Sequence, residues 1–228
     1  MRDERARWDA YLWEPGGQVL RNKWGIRDAL EFAMREYRET YRRTREIERG
    51  KVEIPRTYDG EHLRAIHAHL FGNIYEWAGE YRTVGMAKGN SAFAPPDHIG
   101  RYVGYTRRVV EATDWQTLDR DAFADAVAGT FAYLNHAHPF REGNGRSSRI
   151  FMDHVAEQSG FKLAYPRTID AQTWNTASRL SAPADPYGEP DPRPLVSVFR
   201  AAAVDRSVTM PALDAATLRS WFARMRER

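Results

Sequence analysis

A chain of 228 residues with 42% hydrophobic and 12% aromatic content has enough apolar material for a large buried core, which excludes a disordered tail or a disulfide-stapled mini-protein. There is no cysteine, so disulfides, thiol catalysis and thiolate metal sites are excluded together. The net charge of +3, from 34 basic and 31 acidic residues, suits an anionic ligand but is too small to specify nucleic acid. The start, Met1-Arg2-Asp3-Glu4-Arg5, lacks the apolar run of a signal peptide, and no later run could span a bilayer; a cytoplasmic protein without membrane partners is expected.

In chain order, residues 1–22 mix charges with Trp8, Tyr11 and Trp13, turn at Glu14-Pro15-Gly16-Gly17, and read as an arm packed on the domain. Asp28, with Glu31 three residues on, is a helix N-cap. The helix it opens runs towards Gly50, with Leu30, Met34, Tyr37 and Tyr41 as its apolar stripe and an Arg/Glu face that reads as solvated ion pairs. A second helix, 60–72, carries Leu63, Ile66, His67 and Leu70; His67 and His69 point to different faces, which is poor geometry for a metal and leaves them packing or surface positions. Residues 84–94 predict a β-hairpin turning at Lys88-Gly89-Asn90-Ser91, ended by Pro95-Pro96. Helices follow at 97–112 and 117–135, the second a core helix through Phe123, Val127, Phe131 and Leu134.

That core helix delivers the chain to His138-Pro139-Phe140-Arg141-Glu142-Gly143-Asn144-Gly145-Arg146-Ser147-Ser148-Arg149. The second half of this stretch opens another helix, with Ile150, Phe151, Val155 and Ala156 inward and Gly160 as its stop. A helix N-terminus has free N–H groups and the positive end of the macrodipole, so it is an anion site. Gly143 and Gly145 are read as allowing positive φ on both sides of Asn144, turning N–H groups inward around a phosphate. Arg146 and Arg149, three apart, are expected to share a face and clamp one polyphosphate. Glu142 is a hard ligand suited to Mg²⁺ held jointly with phosphates, and His138 is a base that is neutral near pH 7. Pro139 stiffens the turn, and Phe140 is expected to be buried and to fix the imidazole.

This stretch resembles, at every defined position, the signature of the Fic family, His-x-Phe-x-Asp/Glu-Gly-Asn-Gly-Arg-x-x-Arg. Ile74-Tyr75-Glu76-Trp77-Ala78-Gly79-Glu80-Tyr81-Arg82-Thr83 is similar to Fic sequences just ahead of their target-docking flap. The resemblance implies transfer of AMP from ATP to a Tyr, Ser or Thr hydroxyl of a target protein. His138 would be the base and Glu142 the Mg²⁺ ligand. Gly143, Asn144, Gly145, Arg146 and Arg149 would bind the phosphates, and the flap at Lys88, Gly89, Asn90 and Ser91 would pair with an extended target segment. Relatives that phosphorylate instead carry Lys at the position of Gly145, so glycine there favours AMP transfer. Transfer of another phosphate-containing group, or a non-catalytic anion or nucleic-acid module, is the alternative; the latter needs neither His138 nor Glu142.

The resemblance also implies a mainly α fold of six to nine helices, with the two motif helices central and the flap hairpin as the only strands. Residues 1–22 would be the arm, 23–180 the Fic core with flap 84–96 and motif 138–149, and 181–228 a C-terminal helical extension. Beyond the motif, 170–181 reads as a helix in which Trp174 and Asn175 are candidates for the adenine side, though Trp174 fits a plain core position as well. Residues 182–194 read as a rigid Pro-rich connector, followed by helices at 195–204 and 212–226. Self-inhibited Fic proteins carry a Ser/Thr-x-x-x-Glu-Gly/Asn helix. Thr44 to Glu48 and Thr57 to Glu61 have its first spacing but are followed by Arg49 and His62. The chain therefore resembles the bacterial toxin class, in which a separate small antitoxin supplies the glutamate opposite Arg149, or a related effector secreted into another cell.

Overall fold

The computed structural model describes residues 2–89, 91–166 and 169–207. Eight helices lie within them: α1 Arg2–Asp9, α2 Ala29–Glu48, α3 Gly60–Phe71, α4 Ile99–Ala112, α5 Arg120–Ala137, α6 Asn144–Ala156, α7 Ala171–Leu180 and α8 Arg193–Ala202. The expected helix at 212–226 lies outside the described residues, as does Asn90 at the flap tip. Among the described residues no helix is long and apolar enough to cross a membrane.

Helix starts follow sequence chemistry. Asp28, Asp59, Asp119 and Asp170 each cap a helix by accepting backbone N–H groups of its first turn. α5 is the axis of the bundle, packed by α4, α6 and α8, because Phe123, Val127, Phe131 and Leu134 on one side and Ala124, Ala128 and Ala137 on another are all buried. The two helices flanking the motif are thus central, as their burial pattern requires. α8 belongs to the same core, with Leu195, Phe199 and Ala202 fully buried. The Pro-rich stretch before it is not a free connector: Tyr102 donates its hydroxyl to the Gly188 carbonyl at 2.8 Å, and His136 bonds the Pro186 carbonyl at 3.0 Å.

Three expectations need correction. The flap hairpin, β1 Ala87–Lys88 against β2 Ser91–Ala92, is not the only strand pair. β3 Phe161–Leu163 pairs antiparallel with β4 Ala203–Asp205, a long-range pairing of three-residue strands too short to show alternation. Next, the stripe Leu30, Met34, Tyr37 and Tyr41 faces solvent, 51–72% exposed, while α2 seats itself through Phe32, Thr40 and Ile47. Periodicity finds an amphipathic face but does not say that the chain's own core covers it. Finally, α6 ends at Ala156, short of Gly160. The Arg/Glu face of α2 does carry the expected pairs, Arg43 with Glu39 at 3.2 Å among them, and its arginines hold the Glu39 carboxyl down at about 2.

Candidate active site

The loop between α5 and α6 is built by its own side chains. α5 ends because His138 turns left-handed, φ 39° and ψ 57°, and Pro139 follows. Phe140 is fully buried, as expected, but the imidazole it stacks on is that of His67, ring centroids 3.8 Å apart, and not that of His138. His67 ties the loop to α3: its Nδ1 accepts the Gly79 N–H at 2.8 Å, so Nε2 carries the proton donated to the Glu142 carbonyl at 3.0 Å. Burial lowers its pKa to about 4 and keeps it neutral. The Asn144 amide accepts from Phe140 N–H at 2.8 Å and donates to the Phe140 carbonyl at 2.7 Å, closing the turn on itself.

α6 then starts at Asn144 with no side-chain cap, and its first internal bond is Ser147 N–H to the Gly143 carbonyl. The N–H groups of Asn144, Gly145 and Arg146 are therefore the unpaired donors of a helix N-terminus. Of the two glycines only Gly143 has positive φ, 80°, and a Cβ there would lie 2.3 Å from the Phe71 ring. Gly145 is helical, and nothing lies within 4 Å of where its Cβ would be; its contribution is room, not backbone freedom.

A groove of about 1070 Å³ opens over this helix start. His138, Asn144, Gly145, Ser148 and Arg149 line one side, the flap residues Lys88, Gly89, Ser91 and Phe93 another, and Phe131, Met152, Tyr165, Trp174 and Asn175 the far end. Lys88 donates to Asn175 Oδ1 at 2.8 Å, so the flap and α7 meet across it. Trp174 is both groove wall and core, packed edge-on to Phe131 at 5.0 Å. Arg149 lies over the Tyr165 ring at 4.3 Å. One turn on, burial pushes the Asp153 carboxyl up to about 6, with Arg149 opposing the shift.

His138 faces the groove beneath Phe93, whose ring stacks on the imidazole at 3.7 Å. Burial first, then the charges of Arg82 and Lys88, hold its pKa down at about 3; a hydrogen bond to the Asn135 carbonyl works against them. Neutral at pH 7, the imidazole keeps one ring nitrogen unprotonated, with a lone pair that can take up a proton.

Glu142 and Arg146 do not line the groove. Arg146 turns away to α2, donating to Thr40 Oγ1 at 3.2 Å and to Glu142 at 3.1 Å, within 3.4 Å of Glu36 and over the Phe71 ring at 4.7 Å. The expected two-arginine clamp is therefore divided: residues three apart on a helix diverge enough for α2 to capture one of them. Glu142 Oε1 takes the Gly143 and Arg146 donors, which leaves Oε2 for a hard cation. Among the described residues no cluster of three or more His, Asp or Glu could cage a metal, so Mg²⁺ fits here only with phosphate and water as most of its ligands. The Arg141 guanidinium covers the Trp8 ring at 4.1 Å, which seats the N-terminal arm on the loop. Sequence reading did not single out Phe93 or Arg82; the only signal for Arg82 was its place in the segment similar to Fic sequences before the flap.

The chain is 34% identical over 166 residues to Protein adenylyltransferase VbhT of Bartonella schoenbuchensis, covering 72% of this chain and about a third, 34%, of that protein's length. It is 30% identical over 178 residues to "Probable protein adenylyltransferase Fic" of Escherichia coli, covering 78% of this chain and 86% of the relative. The fold matches the N-terminal Fic domain of a VirB-translocated effector of Bartonella quintana, solved with bound ADP, with TM-score 0.72 and 27% identity over 86% of this chain and 96% of that one. The Fic/DOC family profile matches residues 57–156, from the turn before α3 through the whole loop and α6. Similarity that spans most of the Escherichia coli relative, with a family profile match that includes the loop, means that the chain belongs to the Fic/DOC family.

Proposed function

We propose that the protein transfers AMP from ATP to a hydroxyl side chain of a target protein. The observation that carries this reading is one groove in which a neutral imidazole, the uncapped start of α6 and Arg149 converge beneath a flap. The triphosphate would lie over Gly145, where a larger side chain would fill the space, with the N–H groups of Asn144, Gly145 and Arg146 and the Arg149 guanidinium as its counter-charges. The base would lie toward Trp174 and Asn175. The target would add an extended segment to the flap at Lys88, Gly89, Asn90 and Ser91. His138 then takes the hydroxyl proton, the oxygen bonds to the α-phosphorus, and the bond to pyrophosphate breaks. Glu142 would hold Mg²⁺, which supplies further neutralisation of the phosphates when bound. Arg146 reaches them only by leaving Glu36 and Glu142, so Arg149 is assigned the first share.

Names of the relatives and the bound ADP of a structural neighbour support the nucleotide class. Incubation with ATP labelled in turn at the α- and γ-phosphate in a bacterial lysate tests the reaction. Protein labelling from the α position alone supports AMP transfer; labelling from γ alone means a phosphoryl transferase.

The reading extends to a toxin restrained by a small antitoxin. Among the described residues Arg149 has no carboxylate ion-pair partner, Glu48 is taken by Arg45, and Glu61 is exposed at the start of α3. Expression of the wild type alone should then arrest bacterial growth while His138→Ala does not; equal growth of both strains would contradict it.

A further inference from the structure

We propose that Arg82 is a positioning residue that fixes the root of the flap to the backbone of His138, so that the docked target and the base keep one register. The inference rests on the proposed AMP transfer and deepens it. Arg82 is only 2% exposed, the largest of the fully buried side chains, and among the described residues no carboxylate pairs with it. Burial lowers its pKa only to about 10, so it remains a cation. An unpaired buried charge is costly unless carbonyls surround it, and here they do.

Nε donates to the His138 carbonyl at 2.8 Å, Nη1 to Val84 at 2.7 Å, and Nη2 to Ala94 at 2.6 Å and Ala137 at 3.2 Å. Its backbone N–H donates to the Pro139 carbonyl at 2.8 Å, and Ala94 N–H to the His136 carbonyl at 2.9 Å. The Ala137 and His138 carbonyls end α5, where helix acceptors lack partners and the dipole is negative, so this end of the helix acts as the counter-charge. Val84 and Ala94 stand on the two sides of the hairpin, just before β1 and just after β2. A single guanidinium thus grips both legs of the flap and the left-handed turn that carries the imidazole. One residue before Ala94, Phe93 lies on that imidazole. The planar fork matters: a lysine ammonium cannot present donors to all these carbonyls at once.

The test needs no known target for its first two arms. Hydrogen exchange of the wild type should show the Arg82, Ala94 and His138 amides opening as one unit; Ala94 exchanging about a hundredfold faster than His138 would overturn the proposal. In Arg82→Lys, ADP should bind as to the wild type, because α6 is untouched. Meanwhile the upfield ring-current shift that Phe93 gives the His138 ring protons should be lost. AMP incorporation into lysate protein, counted per ADP-binding site, should fall about a hundredfold, the scale expected for a 1 Å misplacement. Unchanged ring shift and unchanged transfer would overturn it. If Arg82→Lys does not fold, the wild-type exchange decides. If the wild type transfers no AMP while both spectroscopic results hold, the enzymatic reading fails and the tie stands.

Discussion

An imidazole held near pKa 3 is a weak proton acceptor, and the phosphates expected beside it are what would strengthen it, since negative charge raises a histidine pKa. The base must be neutral to act, so activity is lost only as pH falls through its pKa. Because kcat/KM reports the free enzyme, it should hold as pH is lowered past 6.5, with its acid limb below that value; a limb centred at 6.5 or above would mean that His138 is not desolvated as described. Gly143 gives a second residue-scale expectation. Left-handed backbone and a Cβ 2.3 Å from Phe71 oppose any side chain there. Gly143→Ala should therefore cost roughly 2–4 kcal/mol in denaturant unfolding, and Phe71→Leu should recover part of it. A cost below about 0.5 kcal/mol would mean that the loop relaxes freely. His138, Glu142 and the helix-start glycines could be picked out from their order in the chain. The division of labour between Arg146 and Arg149 could not, because it depends on α2, brought in from over a hundred residues earlier.

The Asp28 cap, the motif helices and the flap turn were readable because each rests on local chemistry: an Asp before an apolar period, a Gly between two short strands. α2 shows where locality ends. Its most regular stripe faces water, and its seat is made by Phe32, Thr40 and Ile47, which share a face at helical spacing but are too sparse, and in Thr40 too polar, to stand out from the sequence. Phe32→Ala should accordingly cost about 3–5 kcal/mol, the usual range for a buried aromatic, and Tyr41→Ser less than about 0.5. Equal costs measured by urea unfolding would put the stripe in the core after all. The β3–β4 pair was invisible for a related reason: three residues show no alternation, and the partners lie some forty residues apart. The groove's far wall falls between these cases. Core and groove lining were both open for Trp174 from the sequence; that it does both at once follows from its packing against Phe131 and Phe199 at the groove's end.

For the whole molecule, buried histidines dominate the response to acid. His62 and His154 share a 2.8 Å hydrogen bond between α3 and α6, and burial lowers His62 and His67 to about 4 and His138 and His154 to about 3. Each is depressed below its unfolded value near 6.5, so the unfolded chain binds more protons and stability falls as pH drops below 6.5 towards 4. The slope is up to about 1.4 kcal/mol per pH unit for each histidine. Asp153, raised to about 6, works the other way between about 4 and 6 and offsets only one of them. Melting temperature should therefore decline steadily from pH 7 to 4.5, and a flat profile would contradict the burial. The N-terminal helix packs on the motif loop through Arg141 over Trp8, and the loop's proposed chemistry is the central claim. The direct measurement is mass spectrometry of a bacterial lysate incubated with ATP, Mg²⁺ and either wild type or His138→Ala. AMP on a lysate protein with the wild type, absent with the variant although the variant still binds ADP, is the predicted result. AMP transfer that survives His138→Ala undiminished would contradict it.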